Sequence, residues 1–323
     1  MRALLLALFL ALPARAADRP APAPTVLPPD APLPDAPLPD APAAAGPDRP
    51  GPDRVVSLNL CADQLLVLLA PERVAALSTL SRDPALSHVA RRAAALPQVR
   101  ADAEAVLRLR PGLVLAGRYG AQATVALLER RGVPVLRLDL PAGFDAIRAQ
   151  TREVAAALGV PERAEALLRD MDARLATLPR VRRPPAPAPP DASDVAAPAH
   201  PAPAPPPPGD SDADASTGLA PAASRALLWG ARGWTSGPGT LGDAVLRAAG
   251  FENAGTGGVV GLEVLLSRPP DLLVTAQAPA FPSLATDLLR HPALAAPPRR
   301  TVPPASLICA GPFTVSAVEA LAR

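Results

Sequence analysis

From Arg54 onward, short apolar runs alternate with segments whose apolar residues recur every three or four positions. Val55-Val56-Ser57-Leu58 predicts a strand, and Asp63 to Leu69 follows with helical spacing. Val74–Leu77, Leu113–Ala116 and Val135–Leu138 predict further strands, with helices over 101–110 and 121–131 between them. Strands that alternate with helices imply right-handed crossovers, and hence an α/β fold built on a parallel sheet.

Residues 144–158 and 161–178 read as two helices split by Gly159-Val160-Pro161. In the second, Ala164, Leu167, Leu168, Met171, Leu175 and Leu178 form one apolar stripe. At 1.5 Å per residue this helix is a rod of about 27 Å, long enough to join two lobes. A second series then begins. Arg225–Gly230 predicts a strand, 240–249 a helix, 272–275 a strand, 283–290 a helix, 300–302 a strand and 314–322 a last helix. An internal repeat supports two similar lobes. Glu104 to Leu115 can be laid on Glu263 to Val274, each with a glutamate seven residues before a proline and then an apolar strand.

Composition adds what the periodicity leaves blank. The 323 residues include 46 prolines, of which 13 lie in 17–53 and 13 in 181–223. Proline lacks the N–H and fixes φ, so these stretches predict an extended tether and a surface insert rather than packed elements. At the N-terminus, Arg2, the apolar run Ala3 to Leu12 and Ala14-Arg15-Ala16 have the form of a cleavable export signal. Ten apolar residues are too few to span a bilayer. The chain therefore divides into a signal peptide over 1–16, a Pro/Ala-rich tether over 17–53 and an N-terminal α/β lobe over 54–143. A helical segment over 144–180 contains the rod, a Pro/Ala/Asp-rich insert covers 181–223, and a C-terminal α/β lobe covers 224–323.

Charge and motifs exclude more than they nominate. Arginine supplies all 32 basic side chains against 30 acids, without the basic stripe that nucleic acid requires. Trp234-Thr-Ser-Gly-Pro-Gly239 lacks the Gly-Lys-Ser/Thr of a phosphate loop, and no Gly-x-Ser-x-Gly elbow is present. His88, His200 and His291 are scattered, so no clustered site for a bare metal ion is expected. The reading is not that of an enzyme.

Arg54 to Leu66, the Glu104…Arg110-Pro111 block, Trp234-Thr-Ser-Gly237 and the Glu263…Pro270-Asp271-Leu272 block occur in an order that resembles a known family. That family comprises the periplasmic substrate-binding proteins of ABC importers for cobalamin, ferric siderophores and haem. The resemblance covers 54–178 and 224–323. It implies two Rossmann-like lobes with parallel sheets joined by one long helix, and a metal-chelate ligand held between them for an inner-membrane permease. It also implies a periplasmic location and a monomer with no cofactor of its own. By the same resemblance, Glu104 and Glu263 occupy the positions that pair with permease arginines, one on each lobe.

In such a fold the ligand contacts come from loops after the strands. These are Asn59, Arg82, Arg118 and Tyr119 from the first lobe, with Trp229, Arg232, Trp234 and Phe313 from the second. Aromatic planes suit a corrin, a porphyrin or a catecholate, and guanidiniums suit anionic groups. The sequence has Leu80 and Gly117 where cobalamin binders tend to have aromatics. Cys61 and Cys309 each follow a strand, one per lobe. Two buried thiols, a disulfide, or thiols facing the cleft all remain open. A bond between them would staple the lobes, which sits badly with a receptor that must release its ligand. The other functional reading is an envelope- or wall-associated module that works through the Pro/Ala-rich arms.

Overall fold

The computed structural model describes residues 51–178, 224–276, 289, 291–295 and 297–323. In the N-terminal lobe the order is β1 (Val55–Ser57), α1 (Leu60–Leu69), β2 (Val74–Ala76), α2 (Ala90–Ala93), α3 (Ala103–Arg108), β3 (Leu113–Gly117), α4 (Gln122–Arg130) and β4 (Val135–Leu138). The four strands form a parallel sheet in the order β2-β1-β3-β4. β1 and β3 are central and covered on both faces, which is why they read as unbroken apolar runs. Val55, Leu113 and Leu115 pack on one face with Leu65, Leu66, Leu69, Val154 and Leu158. Val56 and Val114 pack on the other with Val106 and Leu128.

Two helices follow, α5 (Phe144–Ala157) and α6 (Pro161–Thr177). Gly159, at φ 69°, ends α5 in a conformation that a side chain would resist, and Pro161 opens α6 where no backbone N–H is needed. The stripe read from the sequence splits between the lobes. Ala164 and Leu167 join the N-terminal core, whereas Leu175 and Leu178 pack against the C-terminal one. Polar contacts pin both ends of α6. Arg163 donates to the Leu69 carbonyl and the Glu72 carboxylate, each at 2.7 Å. Arg174 donates to both oxygens of Glu319, at 2.7 and 2.9 Å.

The C-terminal lobe contains β5 (Arg225–Leu228), β6 (Trp234–Thr235), α7 (Leu241–Ala248), β7 (Glu252–Asn253), β8 (Gly258–Val259), α8 (Leu262–Ser267), β9 (Leu272–Ala276), β10 (Arg299–Val302), α9 (Ala305–Ile308) and α10 (Val315–Ala322). Its parallel sheet runs β10-β9-β5-β7. The topology matches the first lobe, with β5, β7, β9 and β10 in the places of β1, β2, β3 and β4. Glu104 and Glu263 each lie nine residues before the first residue of equivalent strands, β3 and β9. The expected architecture of two parallel-sheet lobes joined by a long helix is therefore present.

Several elements depart from the expectation. α1 begins at Leu60, three residues early, because Asn59 Oδ1 accepts from the backbone N–H of Cys61 and Ala62 and so caps the helix. The antiparallel ribbon β6-β8 and the short α8 had no clear periodic signal. Around the ribbon, glycine permits backbone contact rather than side-chain packing. A Cβ on Gly233 would stand 2.5 Å from the Val260 carbonyl oxygen. Gly51 and Pro52, expected at the end of the tether, instead lie against the N-terminal lobe. Arg73 donates to the Pro52 carbonyl at 3.3 Å, and a Cβ on Gly51 would stand 2.5 Å from the Leu158 carbonyl. The signal peptide, the rest of the tether, the insert and the helix expected near 283–290 lie outside the described residues.

Candidate functional site

All strands within each parallel sheet end at one edge, so the loops after them gather there. A covalent link shows that these edges of the two lobes meet. Cys61, in the first turn after β1, is bonded to Cys309, which follows α9 after β10, with Cα atoms 5.1 Å apart. The reading of these residues as cleft thiols is therefore corrected: they are disulfide-bonded, and Cys309 is buried with Leu60 and Phe313. The bond does not straddle an open mouth. The next residues, Ala310 and Val315, pack on Ile147, Leu168 and Met171 of α5 and α6, so the bond lies beside the joint between the lobes.

Two of the nominated aromatics stand out from these edges. Tyr119, after β3, is 70% exposed, and Trp234, on β6, is 61% exposed beside Val259 on the paired strand β8. Each is near an arginine. Arg118 makes a two-point ion pair with Asp139 at the end of β4, which holds the Asp139 carboxyl below its usual range. Arg232 sits at φ 59°, in the left-handed region, within the turn from β5 to β6. Leu80 and Leu140 add exposed apolar surface after β2 and β4.

Other nominees turn elsewhere. Trp229 is fully buried among Leu227, Leu265, Leu273 and Leu294, and its indole N–H donates to the Val260 carbonyl at 3.1 Å. Its placement on the cleft wall is corrected: the side chain at the end of β5 faces the core beneath the ribbon. Phe313 is also buried, stacked on His88 with ring centroids 4.8 Å apart, and forms the contact between lobes rather than a free wall. Arg82 directs its guanidinium to the carbonyls of Leu96 and Ala93, at 2.7 and 3.4 Å, and so stabilises the end of α2. Asn59 is half-buried, its Oδ1 occupied by the helix cap. Its Nδ2 lies where a Cβ on residue 117 would approach to 2.7 Å, which accounts for glycine there.

Two buried aspartates, unmarked in the sequence reading, hold the loops in place. Asp63 on α1 accepts from the Ser78 N–H at 3.0 Å and the Ser78 hydroxyl at 2.5 Å, which anchors the loop after β2. Burial pushes its carboxyl up to about 6, against the opposing pull of the Ser57 and Ser78 hydroxyls and the Ser78 N–H. A lone acid within Leu60–Leu69, whose one other polar side chain besides the cysteine is Gln64, is the signal that could have found it. In the other lobe Asp243 accepts from Gly239 N–H, Asn253 Nδ2 and Arg247 Nε. Burial raises its carboxyl, but these donors outweigh it and leave it below the usual range. Asn253 in turn donates to the Ser236 carbonyl and accepts from Gly255 N–H, so the base of the ribbon is tied from both sides.

Glu104 and Glu263 occupy the first turns of α3 and α8. Crossover helices run antiparallel to the strands they precede, so these first turns also lie toward the edge where the strands end. Both carboxylates are exposed, and Glu104 pairs with Arg108 one turn on, at 3.0 Å. Among the described residues no group of three or more His, Cys, Asp or Glu side chains could hold a metal ion.

Comparison with known proteins agrees with this geometry. Residues 55–179 match the family model for periplasmic binding proteins. A search of the curated proteins found no match. Among solved structures, a periplasmic haem-binding protein from Roseiflexus sp. RS-1 in apo form is 22% identical, with a TM-score of 0.57 over 84% of this chain and 98% of that one. A haem-binding protein from Pseudomonas aeruginosa is 23% identical, with a TM-score of 0.56 over 84% and 91%. The periplasmic vitamin B12 binding protein of Vibrio cholerae is 15% identical, with a TM-score of 0.52 over 84% and 95%. Residues 55–179 thus match the periplasmic binding protein model, and the described residues of both lobes share the two-lobed fold of these solved structures.

Proposed function

We propose that this chain is the substrate-binding receptor of an ABC importer, which captures a metal-chelate nutrient between its lobes and delivers it to an inner-membrane permease. The observation that carries this reading is the pairing, on each lobe, of an exposed aromatic with a nearby arginine. Arg118 and Tyr119 lie on one side, and Arg232 and Trp234 on the other, on edges joined at Cys61–Cys309. Two aromatic faces suit a large, flat, partly apolar ligand, and the Arg232 guanidinium suits an anionic group on it, while the Arg118 charge is balanced by Asp139. The haem- and vitamin B12-binding proteins that share the fold supply the ligand classes, with ferric siderophores as the third.

Binding then selects a closed arrangement of the lobes, and no bond of the ligand is made or broken. Glu104 and Glu263 dock with arginines of the permease, where a carboxylate–guanidinium pair on each lobe sets register. The N-terminal segment directs export, with cleavage after Ala16, and the mature protein works as a periplasmic monomer. The test is titration of the mature protein with haemin, cyanocobalamin and a panel of ferric siderophores, read by tryptophan emission and by colour retained after desalting. Saturable one-to-one binding of one ligand supports the receptor and names its cargo. Absence of binding across the whole panel counts against a metal-chelate receptor.

A further inference from the structure

The unexpected feature of the fold is a second covalent connection between the lobes. The first is the polypeptide itself, through α5 and α6. The second is Cys61–Cys309, which closes a loop between residues 248 positions apart. Everything around the bond comes from both lobes. Leu60, Leu68 and Leu86 meet Cys309 and Phe313, while His88 stacks on the Phe313 ring at an interplanar angle of 15°. Asn59 caps the helix that carries Cys61, and Thr314 Oγ1 accepts from the Gly311 N–H just after Cys309. Neither end of the bond therefore sits on a loose loop.

The position matters as much as the bond. Rotation of one lobe against the other moves each residue in proportion to its distance from the axis. The segment from Cys309 to Val315 packs on α5 and α6, the helices through which the lobes are joined, so it lies near any such axis. Tyr119, Leu140, Trp234 and Val259 are exposed on the loops and ribbon away from this packed cluster. A short covalent tie near the axis permits small rotations and forbids the lobes from sliding or separating.

We propose that the Cys61–Cys309 disulfide is the pivot of the receptor: it holds the two lobes at a set spacing, so that the cleft changes width only by rotation about the bond. It deepens the receptor reading and rests on it for the effect of ligand alone. Reduction then widens the range of lobe arrangements, and the oxidising periplasm keeps the protein in its narrow, binding-competent form.

The experiment places spectroscopic labels, through non-natural amino acids, at the exposed positions Leu140 and Val259, one on each lobe. Distances are then compared in the oxidised full chain and in a Cys61→Ser/Cys309→Ser chain. The proposal expects one narrow distribution in the oxidised protein and a broader one with a longer mean without the bond. Superimposable distributions overturn it. Should the serine variant fail to fold, the same distances are measured in the labelled wild-type chain before and after chemical reduction of the bond, and superimposable distributions again overturn the proposal. Hydrogen exchange on the oxidised wild type then follows ligand binding. Adding whichever of haemin or cyanocobalamin binds should protect amides at 118–121 and 232–236, and leave 59–62 and 309–313 unchanged. Loss of protection at the second pair of segments on binding overturns the pivot. The distance comparison needs no ligand, so failure of every titration counts against the receptor reading alone.

Discussion

Asp63 and Ser78 are joined twice, by the Ser78 N–H at 3.0 Å and its hydroxyl at 2.5 Å, inside a lobe that buries the carboxylate completely. The anchor keeps the loop after β2 against α1, and it has a thermodynamic signature. The folded carboxyl is raised from 3.8 to about 6. The folded state thus holds the proton more tightly than the unfolded chain. Its contribution is most favourable below pH 3.8 and is lost as pH rises through about 6. A shift of this size corresponds to roughly 3 kcal/mol. In Asp63→Asn the amide keeps the Ser78 contacts without a charge. The wild type should lose stability relative to Asp63→Asn between pH 4 and 6 in denaturant titrations. Parallel pH profiles for the two proteins would refute the buried-charge account.

The two tryptophans should be separable by fluorescence. Trp229 is buried with its indole N–H bonded, and Trp234 is exposed. Trp234→Phe should remove the red-shifted, iodide-quenched part of the emission and leave a blue-shifted, protected remainder. If Trp234 stacks on the ligand, Trp234→Ala should weaken binding by about 1–3 kcal/mol, or roughly 5- to 150-fold. Unchanged affinity removes Trp234 from the site.

Glu104 and Glu263 precede equivalent strands by the same number of residues, one in each lobe. Replacing both by Ala should abolish transport in a reconstituted importer while leaving affinity for soluble ligand unchanged. Reduced ligand affinity in the double variant contradicts a docking role.

Loss of the disulfide should be costly to stability. A loop of 248 residues corresponds to about 5 kcal/mol in the chain-entropy treatment, with measured values for native bonds mostly near 2–5 kcal/mol. Urea unfolding of the oxidised protein and of Cys61→Ser/Cys309→Ser measures the difference directly. A midpoint unchanged by removal of the bond would mean that the unfolded chain gains no freedom from its loss.

Asn253 makes three hydrogen bonds, to the Ser236 carbonyl, the Gly255 N–H and Asp243, that tie down the base of the ribbon. Asn253→Ala should destabilise the lobe by about 1–3 kcal/mol through the unsatisfied partners it leaves. It should also raise the iodide accessibility of Trp234, because the strand that carries it loses its anchor. Equal quenching in the two proteins would show that the ribbon is held by its backbone contacts alone.

Much of the architecture was legible because it rests on local periodicity. Val55–Ser57 and Leu113–Gly117 are apolar on both faces because central parallel strands are covered twice, and the α6 stripe reflects one buried helical face. The ribbon β6-β8 escaped because glycine contacts made by backbone leave no periodic trace. Candidate site residues were legible as loop positions, not as orientations. Trp229 and Trp234 lie five residues apart at the same strand edge, yet one fills the core and the other faces solvent. Arg82 and Arg118 both follow strands, yet one caps a helix and the other pairs with Asp139.

Two parallel-sheet lobes, the rod between them and the equivalence of Glu104 with Glu263 could be read from the sequence, since local periodicity carries the first two and an internal repeat the third. Tertiary structure alone decided that Cys61 bonds Cys309, that His88 meets Phe313 and that Asp63 is buried with Ser78. Those facts depend on how distant segments are brought together. Side-chain direction, burial and pairing are properties of the packed lobes, and no local pattern encodes them.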